Sequence, residues 1–117
     1  MKKLQLAVVA CVLTLASVVG AGAVGGPKHA RDTVMAHRSD SFVTVFEGKS
    51  LAIVRVSGDG STDLDCMVYD NGGHLVADDQ DATDQCVLMW EPAWTGKFKI
   101  IVRNMGNTAN EYELNTN

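Results

Sequence analysis

DLDCMVYDNGGHLVADD, residues 63–79, reads as two short strands around a tight turn. Asn71, Gly72 and Gly73 supply the residue types that tolerate the positive φ such a turn requires. Side chains alternate across a strand, so Leu64, Cys66 and Val68 share one face, while Asp63, Asp65, Met67 and Tyr69 share the other. Working outward, the same alternation recurs. SFVTVFEGKS (41–50) is a strand with a Gly48-Lys49 turn, and LAIVRVSGDGSTD (51–63) is a strand ending in a polar loop. CVLMW (86–90), KFKIIVR (97–103) and NEYELNT (110–116) complete the set. Lys28 to Arg38 reads either as one helical turn or as an edge strand, the favoured reading being a strand around Asp32 to Met35. Strands recurring about every ten residues, with no helical periodicity between them, predict an all-β protein, a small antiparallel β-sandwich.

The inward sets are Cys86, Leu88 and Trp90, then Phe98, Ile100 and Val102, then Tyr112 and Leu114. Paired directly, the last two strands would place Phe98 opposite Leu114, Ile100 opposite Tyr112 and Lys99 opposite Glu113. Both Cys66 and Cys86 fall on apolar faces, so an oxidising compartment would join them in a buried disulfide. A thiol-ligated metal using Cys66, His74 and Cys86 lacks the paired C-x-x-C spacing and a fourth ligand.

The opening residues name that compartment. Lys2 and Lys3 precede an uncharged run from Leu4, and small residues follow at Ala21-Gly22-Ala23. This is the order of a secretory signal peptide, with cleavage expected after Ala23. Two rival readings are an uncleaved membrane anchor, since the uncharged run is long enough to span a bilayer, and a lipoprotein box at VVAC (8–11). The Gly- and Ala-rich second half suits a peptidase site better than an anchor. The VVAC reading leaves too short an apolar core for export. The expected organisation is a signal peptide at 1–23, a lead-in segment at 24–38 and a domain at 39–117, secreted or periplasmic, with no membrane span after cleavage. Losing Lys2 and Lys3 leaves 8 basic against 14 acidic residues, so the formal charge moves from −4 to −6. Nucleic acid and anionic membranes need clustered Lys and Arg and are excluded as partners.

Charge is unevenly spread. Eight aspartates lie between Asp59 and Asp84, with no Lys, Arg or Glu among them. Like charges on neighbouring loops repel, and a hard cation relieves that repulsion. Calcium takes six to eight oxygen ligands of this type, which makes Asp63, Asp65, Asp78, Asp79, Asp81 and Asp84 its candidate ligands. Neither loop is an EF-hand, because Leu64 and Asp84 stand where the sharp turn needs Gly. The competing reading is that Asp, Gly, Asn and Ser simply build β-turns.

Catalysis finds less support. Paired carboxylates suit glycoside hydrolysis, but a domain this small offers little cleft to exclude water. No G-x-S-x-G elbow is present, and His29, His37 and His74 lie in expected termini or turns. The chain is expected not to be an enzyme. In MWEPAWTGKF (89–98), Trp90 reads as core, while Trp94 is either packing or a platform for a sugar or peptide.

Asp63-Leu64-Asp65, Val68-Tyr69-Asp70, Asn71-Gly72, Gly96-Lys97-Phe98-Lys99-Ile100 with Val102, and Tyr112-Glu113-Leu114 together resemble the bacterial pre-peptidase C-terminal domain over Phe42 to Asn117. The resemblance implies a jelly-roll-like sandwich without catalysis, which usually trails a secreted peptidase, assists its secretion, stability or substrate binding, and in some members binds calcium. Only Asp63-Leu64-Asp65 carries the family's metal ligands over. Two departures stand out: no peptidase precedes the domain, and Cys66 and Cys86 form a pair that most members do not need. The expected role is an exported binding or accessory module with an unknown protein or polysaccharide partner. The alternative is a structural, envelope-associated protein without a specific ligand.

Overall fold

The computed structural model describes residues 22–117. The expected signal peptide therefore lies outside the described residues, apart from Gly22 and Ala23. The described residues form eight strands and no helix: β1 (His29–Val34), β2 (Ser39–Phe46), β3 (Ala52–Ser57), β4 (Leu64–Asp70), β5 (Leu75–Asp79), β6 (Gln85–Trp90), β7 (Gly96–Asn104) and β8 (Asn110–Thr116). One sheet has the order β1-β8-β3-β6 and the other β2-β7-β4-β5. All pairings are antiparallel. The pairs nest: β4 with β5, β3 with β6, β2 with β7 and β1 with β8. The chain is thus a ribbon folded at the β4–β5 hairpin and rolled into two layers, the jelly-roll arrangement of a β-sandwich.

Period-two alternation decides what lies between the layers. Leu64, Cys66 and Val68 from one sheet meet Cys86, Leu88 and Trp90 from the other, and all six are buried. Phe98, Ile100, Val102, Tyr112 and Leu114 are buried as well, so each inward set read from the sequence is inward in the fold. Cys66 and Cys86 form a disulfide with a Cα–Cα distance of 6.3 Å, and it ties β4 of one sheet to β6 of the other. Closing this loop of 20 residues stabilises the fold by about 3 kcal/mol, chiefly by restricting the unfolded chain.

The direct pairing expected of the last two strands is not formed. β7 pairs with β2 and β4, whereas β8 pairs with β1 and β3. Lys99 stands opposite Val43 and Tyr69, and Glu113 opposite Arg31 and Ser57. Both strands turn apolar faces to the core, but from opposite layers, and alternation alone cannot tell facing strands from paired ones. Glu113 instead makes a surface ion pair with Arg31. At the N-terminal side, the strand expected around Asp32 to Met35 starts earlier, at His29, and pairs along its length with β8. The expected lead-in therefore carries a strand of the sandwich.

The β4–β5 turn uses one left-handed residue. Gly73 has φ +85° and donates to the Asp70 carbonyl, while the Asp70 amide donates to the His74 carbonyl. Asp70 Oδ1 accepts the amides of Gly72 and His74, both at 2.9 Å. These N–H bonds, led by that of His74, hold the Asp70 carboxyl below its ordinary range.

Candidate functional site

The two ends of the sandwich differ in chemistry. At one end the acidic loops meet. The Gly58 amide donates to the Asp84 carbonyl and the Leu64 amide to the Thr83 carbonyl, so residues 58–63 and 80–84 lie side by side, as their charge pattern required for a shared cation. What sits between them is backbone and amide N–H. Asp84 is only 7% exposed. Its Oδ2 accepts from the Gly60 amide (2.6 Å) and from Asn110 Nδ2 (3.0 Å), and its Oδ1 accepts from Gln85 Nε2 (3.0 Å). Burial pushes its pKa up, but the bonds from Asn110, Gln85 and Gly60 outweigh that, and the carboxyl is held below its ordinary range. Asn110 is itself fully buried and also donates to Thr62. Buried Asn104 completes this end, donating to the Val34 and Thr108 carbonyls.

The other aspartates are occupied in the same way, by donors of their own loop or of a neighbouring strand. Asp81 Oδ1 accepts from the amide and hydroxyl of Thr83, which lowers its pKa. Asp59 accepts from the amides of Ser61 and Glu111, and the Glu111 bond is the larger cause of its lowered pKa. Asp79 Oδ2 accepts from the Val87 amide, and Asp78 Oδ2 from Gln80 Nε2.

Of the six expected cation ligands, Asp78, Asp79, Asp81 and Asp84 thus already have donors. Asp63 and Asp65 differ: each has a buried Oδ1 with no hydrogen-bond partner among the described residues. Burial, and then the neighbouring Asp63 charge, push the Asp65 carboxyl up, with Arg103 opposing and Asp81 and Asp79 adding to the rise. Arg103 is its partner across the β4–β7 ladder. Among the described residues, no three His, Cys, Asp or Glu side chains are grouped so as to hold a metal ion.

At the opposite end the core becomes aromatic. Phe46 packs edge-on to Trp90 at 4.9 Å between ring centroids, and Phe98 lies 5.4 Å from Trp90. Above them opens a groove of about 580 Å³ walled by Val76, Trp90, Pro92, Trp94 and Phe98, with Asp70 and Glu91 at its margin. Trp94 is 76% exposed, and Lys49 Nζ stands 5.5 Å from its ring centroid. Trp90 is core, as its position in the strand predicted, but its indole Nε1 is buried without a partner among the described residues. Trp94 does not cap the sandwich. Its ring stands in solvent beside the groove.

Val76, Pro92 and Phe98 were not singled out as site residues. Each reads as plain turn or core residue, and only the opening between the sheets makes them groove walls. The face of β7 was also missed. Lys97 and Lys99 flank a smaller depression of about 460 Å³ with Val43, Tyr69 and Ile101. The alternation in KFKIIVR was the signal that puts both lysines on one outward face. His29, His37 and His74 are all exposed. His29 opens β1 rather than lying in a terminus.

No family model and no curated protein matches the sequence. Solved structures do match. The pre-peptidase C-terminal domain of a collagenase from Bacillus anthracis superposes with a TM-score of 0.60 at 12% identity, covering 77% of this chain and 88% of that one. PliG of Aeromonas hydrophila, a periplasmic inhibitor of g-type lysozyme, superposes with a TM-score of 0.58 at 15% identity, covering 83% and 86%. The Yersinia pseudotuberculosis-derived mitogen does so at 0.52 and 11% identity, covering 78% and 84%. At these identities the likeness is one of fold, and in fold the chain is similar to a pre-peptidase C-terminal domain.

Proposed function

We propose that this chain is an exported, non-catalytic binding module that holds a polysaccharide at its aromatic end. The observation that carries the reading is Trp94, a large amphipathic ring 76% exposed beside a groove of about 580 Å³. Exposing an indole has a cost in water, and a sugar face stacked on it removes that cost. Asp70 and Glu91 at the margin offer acceptors for sugar hydroxyls. Export rests on the N-terminal pattern, supported by the disulfide.

The chain's two tryptophans both line the groove, so their fluorescence reports occupancy directly. Titration with soluble glycan chains is expected to give a saturable shift, weakened at least tenfold in Trp94→Ala. A second reading, protein binding, is favoured by PliG, an inhibitor of g-type lysozyme with this fold. A fluorescence shift with a purified g-type lysozyme but with no glycan selects that reading. No shift with either leaves the structural, envelope-associated role.

Calcium is proposed only at Asp63 and Asp65, where unpartnered oxygens remain. Two carboxylates fall short of a full calcium shell, so the expected affinity is weak, on the order of 10⁻⁴–10⁻³ M, as for extracellular modules. Calorimetry giving no heat, with a melting curve unchanged by chelator, removes the metal from the account.

A further inference from the structure

Gly22 and Ala23 belong by sequence pattern to the end of the leader, yet both are built into the fold. Ala23 is 2% exposed, lies in the hydrophobic core and forms a bridge with Phe46. Its amide donates to the Asn117 carbonyl at 2.9 Å, and its own carbonyl accepts from Gly26 at 3.1 Å. The Gly22 carbonyl accepts from the Glu47 amide at 2.8 Å. Gly22 has φ +100°, in the left-handed region that favours glycine, and a Cβ there would overlap the Asn117 side chain. Together the two residues form a clip. They join the end of β2 in one sheet to the chain just past β8 in the other, at the aromatic end where the groove opens. A discarded leader residue carries no such constraints from the mature fold. These two carry backbone, packing and hydrogen-bond constraints at once.

We infer that the leader is cut between Ala21 and Gly22, so that the mature chain begins at Gly22. This rests on the export reading and moves the cut two residues from the position expected after Ala23. Val19-Gly20-Ala21 offers the cleavage enzyme a small residue at the cut and an aliphatic one two positions before it, a pattern of the same kind as Ala21-Gly22-Ala23. Both bonds are therefore legible to the peptidase. Only the earlier cut leaves the clip intact. Cutting after Ala23 would remove a core methyl and three backbone hydrogen bonds, those of Ala23 to Asn117, Gly26 to Ala23 and Glu47 to Gly22.

The full chain with its own leader, expressed in an exporting bacterial host, is purified and weighed intact. The expected mass is that of residues 22–117 with the disulfide formed. A mass beginning at Val24 overturns the inference while leaving export standing. An uncut precursor overturns it too: recovery from the membrane with the disulfide formed selects the uncleaved anchor, and recovery from the cytoplasm overturns the export reading itself. Chains made directly to start at Gly22 or at Val24 give an independent check. The shorter one is expected to melt lower by roughly 4 °C or more, and equal melting temperatures overturn the role of the clip.

Discussion

The two ends of this sandwich answer the same problem, how to close an open stack of sheets, by different physics. At the acidic end, buried Asp84, Asn104 and Asn110 meet loop amides and carbonyls, and directional bonds hold three loops in register. At the aromatic end, Phe46, Trp90 and Phe98 fill space by shape, and a groove remains between the sheets. The end that is rich in charge is the one whose polar groups are mostly already satisfied. The end that looks bland in the sequence is the one left with surface to offer. Charge density marks function only when the charges lack partners within the fold.

Substitutions can break that contrast. Trp90→Ala is expected to be the most damaging at the aromatic end, costing about 3–5 kcal/mol, read from denaturant unfolding. A cost below about 1 kcal/mol would mean that this end is not held by packing. Replacing both cysteines, Cys66→Ala with Cys86→Ala, is expected to cost about 3 kcal/mol, and the wild-type chain under reductant should lose a comparable amount. Next comes Asp84→Ala at the acidic end. It removes the acceptor of the Gly60 amide and one of the acceptors of buried Asn110 Nδ2, and should cost about 1–3 kcal/mol.

The pH dependence of Asp84 has a definite sign. Its pKa in the fold is depressed, so it contributes stability above the unfolded carboxylate value of about 3.9 and loses it as pH falls through the lower folded value. Stability curves of wild type and Asp84→Asn should therefore differ in slope below about pH 4. Parallel curves would show that the network does not hold the charged form.

The smallest expected effect has the opposite sign. The Asp65 pKa is raised by burial and by Asp63, so its ionisation opposes folding once pH rises above the unfolded value. Asp65→Asn should stabilise the chain at neutral pH by about 0.5 kcal/mol. Destabilisation instead would show that the charge is used, by Arg103 or by a bound cation.

Much of the fold was legible because strand alternation is a local signal. Leu64, Cys66, Val68, Cys86, Leu88, Ile100 and Val102 declare an inward face within a few residues, and two cysteines on such faces make a buried disulfide a direct expectation. The partner of each strand was not legible. Phe98 and Tyr112 point to the same core whether β7 and β8 pair or face one another, so the expected contact of Lys99 with Glu113 failed while every burial assignment behind it held. The site was half legible. An Asp that caps a turn and an Asp that waits for a cation look alike in sequence, because the distinction lies in whether an amide from elsewhere in the chain, such as Gly60 for Asp84, reaches its oxygen. Trp94 stood out by type, but its walls did not.

The order of residues determined an all-β chain, its inward faces, the cysteine pairing and an acidic surface, since each follows from side-chain chemistry read at short range. Tertiary structure alone decided the rolled strand order, the donors that occupy the aspartates, the groove beside Trp94 and the burial of Ala23. Each of these depends on which distant segment arrives beside which, and that is settled by the packing of two whole sheets rather than by any one strand.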